Sequence, residues 1–159
     1  MDNDLYKTPD APLLRDDLPT ETVYAGFGRR LVATLIDSVL IVLLTLPLSY
    51  MAYGDALFAP DAPPFMGSAD FLINYLLPFV LVIGFWTYKA ATPGKMAVGI
   101  KLIDANTGGS PSLGQYIGRY FAYILSAIPL FMGYFWVIWD KKKQGWHDKL
   151  AKTLVVRSR

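Results

Sequence analysis

Three stretches of this chain are apolar, close to the length of a membrane span and nearly free of charge, and they limit its fold more than any other feature. Residues 31–52 (LVATLIDSVLIVLLTLPLSYMA) contain one acid or base, Asp37; residues 71–88 (FLINYLLPFVLVIGFWTY) and 120–139 (YFAYILSAIPLFMGYFWVIW) contain no Asp, Glu, Lys, Arg or His. The hydrocarbon core of a bilayer is about 30 Å thick and takes roughly 20 helical residues to cross. All three stretches are therefore membrane candidates, and the chain reads as an integral membrane protein. A polar leader of about 30 residues ahead of the first stretch argues against a cleavable signal peptide.

The basic residues orient it. Four lie in residues 1–30, none in the loop 53–70, four in 89–119 and seven in 140–159, which together are all 15 Lys and Arg. Lys and Arg in short loops mark the cytoplasmic side. The N-terminus is thus expected inside and the loop 53–70, with its three aspartates, outside. A simple third crossing would put the seven-charge tail outside, against the strongest bias in the chain. Residues 120–139 are also too short to cross twice. Their middle, SAIPLFMGY, places Pro129 four residues before Gly133, and proline removes a helical hydrogen bond. The stretch reads as a broken, re-entrant helix sheltered by the two full spans.

Between the second and third stretches, Thr92-Pro93-Gly94 signals a turn, and residues 96–104 mix Val, Ile and Leu in the manner of a strand. Ser112 and Gln115 have capping-box spacing and open the helix that carries Arg119. The final TLVVR is a second strand, and pairing the two would protect their edges. QGWHDKLAK reads as an interfacial helical turn with Trp146 at headgroup depth. Residues 1–23 are polar and proline-punctuated, a mobile cytoplasmic tail, and residues 24–159 form the membrane domain.

On a helix turning about 100° per residue, Arg30, Thr34, Asp37, Ser38, Thr45 and Ser49 share one stripe. Lipid cannot satisfy such a stripe, so it faces a partner helix or a wet cavity. Arg30 and Arg119 are the leading counter-charges for Asp37, followed by Asn74 and nearby hydroxyls. Arg119, Tyr123 and Ser126 make a second polar stripe. Two readings of Asp37 follow. In one it is a proton or cation site for ion-coupled transport; in the other it is held by arginine as a structural clamp.

The remaining candidates carry less. His147-Asp148 has the look of a catalytic dyad, but the tail offers no plausible serine partner and interfacial pairing is the simpler role. Lys141-Lys142-Lys143 is a positive anchor attracting anionic lipid headgroups at the cytoplasmic face. Trp86, Trp136 and Trp139 read as aromatic-belt residues, and TPGK falls short of a phosphate loop. Without cysteine there are no disulfides or thiolate metal sites, and one histidine rules out a multi-histidine metal site in a single chain. No cofactor is implied, and a net charge of +2 does not argue for nucleic acid. No constellation supports an enzyme.

AGFGRRLVATLIDSVL, TPGKMAVGIKLIDANTGG and QGWHDKLAKTLVV, in that order and spacing, resemble the RDD family of small prokaryotic membrane proteins. The resemblance covers roughly residues 24–157. The family's namesake arginine falls on Arg30, with Arg29 as the other choice, and its first aspartate on Asp37. Its second falls on Asp148, with Asp140 and Asp104 as alternatives. Lys152 stands where the family's ending suggests glycine. The resemblance implies a membrane module for which ion transport, including sodium/proton antiport, has been proposed in some members.

The expected fold is an all-α integral membrane protein of the inner (plasma) membrane. It has two full spans, a broken third segment, a small cytoplasmic strand pair and both termini cytoplasmic. Three short segments are few to enclose a pathway, so a homo-oligomer is expected. Ion (proton or sodium) transport through Asp37, tuned by Arg30 and Arg119, is the first functional expectation. A non-transporting interaction or assembly module, with Arg30–Asp37 as its clamp, is the alternative.

Overall fold

A computed structural model describes residues 22–158; of the tail expected over residues 1–23, residues 1–21 lie outside the described residues. Helix α1 (Phe27–Tyr53) runs on through a 3-10 turn to Phe58. Helix α2 (Ser68–Phe71), a π turn (Leu72–Leu76) and α3 (Leu77–Lys89) form a second rod. These two rods, of 32 and 22 residues, are long and apolar enough to cross a bilayer. Their outward faces leave Leu35, Val39, Leu43, Leu72, Tyr75 and Val80 exposed, while Ala33, Thr45 and Ser49 of α1 are buried. Large apolar side chains outside and small or polar ones inside invert the pattern of a water-soluble helix pair.

The third apolar stretch is broken as its proline suggests. Helix α5 (Leu113–Ala127) and α6 (Met132–Phe135, followed by a 3-10 turn to Ile138) meet at 113°. The turn is made by Leu130 and Phe131, both left-handed at φ of 51° and 60°, a conformation costing roughly 1–2 kcal/mol for a residue with a Cβ. Gly133 lets α6 close onto α5, since a Cβ there would sit 2.7 Å from the Cα of Ser126. The capping box also forms: the Ser112 hydroxyl accepts from the Gln115 N–H, and the Gln115 side chain accepts from the Ser112 N–H.

At the N-terminal end of α1 sits an antiparallel pair, β1 (Ile100–Asp104) and β2 (Thr153–Arg157), with Leu102 opposite Val155 and Ile103 opposite Leu154. The strand expected from residue 96 begins four residues later. Residues 93–97 form a short helix, α4 (Pro93–Ala97), with proline in its first turn, where its missing N–H costs nothing. The other edge of β2 is covered by the chain entering α1, where the Ala25 N–H donates to the Val155 carbonyl and the Arg157 N–H to Val23. The entry of α1 and the last strand therefore share one end of the molecule. Ile100, Leu102 and Val155 pack with Ala25, Ala33, Tyr116 and Trp86 into the core. Trp86, expected in an aromatic belt, is 1% exposed.

Lys152 lies just before β2 at φ 52°. That left-handed position explains the sequence expectation of glycine there, because glycine occupies it without steric cost.

Candidate functional site

The buried charges gather where α1, α4, α5 and α7 (Trp146–Leu150) converge beneath the sheet. Asp148 is the centre, and its side chain is fully buried. One carboxylate oxygen pairs with Arg30 of α1 and the other with Arg119 of α5. The first also accepts the Gly145 N–H at 2.9 Å, which caps α7. Burial by itself would raise this carboxyl, but the guanidiniums of Arg119 and Arg30 outweigh it and hold it well below the usual carboxylate range.

Each arginine is held in turn by neutral acceptors. Arg30 donates to the carbonyls of Ala25 at 3.0 Å and Lys143 at 2.5 Å. Arg119, 1% exposed, donates to the Thr153 hydroxyl at 2.6 Å and to the Tyr123 hydroxyl at 3.3 Å. The clamp therefore ties two apolar segments to the tail and to β2. The pair read as interfacial, His147-Asp148, is instead core. His147 is 4% exposed, and burial lowers its pKa to about 3, leaving it neutral at physiological pH.

A serine partner does approach from α5, with the Ser126 hydroxyl 3.3 Å from His147 Nδ1. Ser126 is itself fully buried and donates to the Ala122 carbonyl at 2.9 Å, so it presents no accessible nucleophile. One consequence of the neutral His147 is a pH effect. Below pH 6.5 the unfolded chain takes up a proton that the folded chain refuses down to about 3, so stability present above 6.5 declines as pH falls through that window. The slope is at most about 1.4 kcal/mol per pH unit. Thermal melts between pH 7 and 5 should show it, and His147→Gln should flatten it.

Asp37 is not in this clamp. Its carboxylate accepts the Thr92 hydroxyl at 2.5 Å and the Gly94 N–H at 2.7 Å. The expected Arg30–Asp37 pair is absent, as are pairs of Asp37 with Arg119 and Asn74. Arg30 reaches toward the sheet end instead, and Asn74 bonds Asp70 and Ser49 far along α1. Asp37 thus caps α4 from another helix, taking a first-turn N–H that the helix cannot satisfy itself. That is the role of TPGK, whose chemistry the sequence left unassigned. Of the predicted stripe, Thr45 and Ser49 face inward, Thr34 returns its hydroxyl to the Arg30 carbonyl, and Ser38 is exposed.

Lys95, next along α4, is 8% exposed and has no ion pair within 4 Å among the described residues; its ammonium lies 4.8 Å over the Trp86 ring. Burial lowers its pKa. Sequence reasoning did not single out this lysine, since nothing in TPGK shows that its helix packs inward.

The RDD family model matches residues 24–152, most of the chain. The chain belongs to the RDD family. It is 32% identical over 149 residues to an uncharacterized protein, YxaI, of Bacillus subtilis, covering 83% of this chain and 96% of that one. It is 40% identical over 88 residues to uncharacterized protein RP437 of Rickettsia prowazekii, 55% of this chain and 49% of that protein. It is 27% identical over 107 residues to a proline-rich antigen homolog of Mycobacterium tuberculosis, 60% of this chain and 45% of that protein. The chain thus spans about half the length of two of these relatives. No solved structure matches it. In this RDD chain, the arginine and second aspartate assigned by resemblance, Arg30 and Asp148, are ion-paired, while Asp37 occupies the neighbouring α1–α4 contact.

Proposed function

We propose that this RDD protein is a non-transporting, non-enzymatic module of the inner membrane that binds and organises other membrane components. The observation that carries the reading is the arrangement around Asp148, where one buried carboxylate is satisfied by two arginines and a backbone N–H. A carrier site must exchange its ion, whereas a carboxylate held between two arginines favours a rigid scaffold. Asp37, the residue expected to carry protons or sodium, spends its carboxylate on holding α4. In this reading the sheet end faces the cytoplasm, the bent α5–α6 pair re-enters from that side, and copies of the chain associate in the bilayer.

Purified protein in vesicles tests both halves of the proposal. PH-gradient-driven sodium or proton flux is expected to equal that of empty vesicles, for wild type and Asp37→Asn alike. Flux above empty vesicles that Asp37→Asn abolishes would instead establish the transport reading. In spheroplasts, a cysteine at position 158 of this cysteine-free chain should resist membrane-impermeant label until the cells are opened. Labelling from outside would overturn the orientation.

A further inference from the structure

A cavity of about 420 Å³ opens beside the Asp148 clamp, between the first turns of α1 and the α5–α6 bend. Its two ends differ chemically. Lys95, Arg119 and His147 line it and are buried, whereas Leu31, Phe131 and Phe135 line it and are exposed. The deep end is cationic and the mouth is apolar. Arg30 adds a second guanidinium to the wall.

The positive charge is not fully answered. Asp148 is committed to Arg30 and Arg119, and Asp37 to Thr92 and Gly94. Lys95 makes no ion pair within 4 Å among the described residues and lies over the Trp86 ring, and Arg119 Nε is a buried donor without a hydrogen-bond partner among the described residues. A buried ammonium without a counter-ion is costly unless something pairs with it. A cation–π contact compensates for part of that. An anion in the cavity would supply the rest, and the exposed apolar mouth on membrane-facing helices suits a ligand that brings hydrocarbon with it.

We propose that this cavity is a binding site for an anionic phospholipid, with its phosphate at Lys95 and Arg119 and its acyl chains leaving past Leu31, Phe131 and Phe135. The site differs from the surface attraction of Lys141–Lys143 in being enclosed and in depending on one buried lysine. It gives the binding module proposed above a ligand, and it stands whether or not the protein also moves ions, because the readout below is lipid occupancy and not flux.

The test uses the full chain, purified in detergent and depleted of lipid, with phosphatidylglycerol, phosphatidylcholine and inorganic phosphate as probes. Native mass spectrometry and the shift in melting temperature are the readouts. Phosphatidylglycerol is expected to bind and to raise the melting temperature more than the other two. Lys95→Met should weaken that binding by about tenfold or more, the size of one lost charge-assisted bond. Lys95→Arg should retain it, as should the triple change of Lys141, Lys142 and Lys143 to Gln. Equal binding of phosphatidylcholine would overturn the proposal. So would an equal effect of inorganic phosphate, which would identify a site for the free anion. Unchanged phosphatidylglycerol binding in a folded Lys95→Met protein would overturn it as well.

Discussion

Asp148→Asn should be the most damaging single substitution in the clamp, costing about 3–5 kcal/mol. The amide is nearly the same size, so packing is not the cause. It removes the one negative charge shared by Arg30 and Arg119 and leaves two guanidiniums without a counter-ion, one of them 1% exposed. Thermal melts in detergent check this, and the ranking of the partners makes it specific. Arg119→Met should cost less than Asp148→Asn, because Asp148 keeps Arg30. Arg30→Gln should cost least, since its side chain, 12% exposed, lies nearest to solvent that can replace it. If all three cost the same, or if Arg30→Gln costs most, the carboxylate is not the hub.

That ranking could not have been read from the sequence, and the reason is physical. Helical periodicity along α1 reports which face Arg30 and Asp37 share, but a seven-residue spacing says nothing about where a long guanidinium arm turns. Arg30 turns toward the sheet end, where α7 supplies a carboxylate 118 residues away in the chain. The segments themselves were legible because each has a local cause. Apolar length gave the two long rods, Pro129 the break, Ser112 and Gln115 the cap, and β-branched runs the strand pair. The burial of Trp86 and Lys95 was not legible. Both depend on how α4 docks, and α4 itself looked like a turn leading into a strand. Resemblance brought Arg30 and Asp148 forward together, but only the fold shows them touching.

Gly94→Ala should be the second severe substitution, and it separates the two roles considered for Asp37. Gly94 lies in α4 where that helix crosses α1, and a Cβ there would fall 2.2 Å from the Ala33 carbonyl oxygen and 2.8 Å from Asp37 Cγ. Neither the α1 backbone nor a carboxylate bonded to α4 can yield that much. The two helices must therefore part, at a cost of about 3 kcal/mol by the usual scale for overpacking. Parting them also removes the Gly94 N–H from Asp37 and loosens Thr92. Asp37→Asn behaves differently. The amide oxygen still accepts from Gly94 and the amide nitrogen can donate to the Thr92 hydroxyl, so the loss should stay near 1 kcal/mol. Asp37→Leu removes both acceptors and should approach Gly94→Ala. Melting temperatures in the order wild type, Asp37→Asn, then Asp37→Leu and Gly94→Ala together would show that the carboxylate acts as an acceptor joining α1 to α4. Were Asp37→Asn as damaging as Gly94→Ala, the negative charge itself would be what the fold requires, with the ammonium of Lys95 among the charges it acts on.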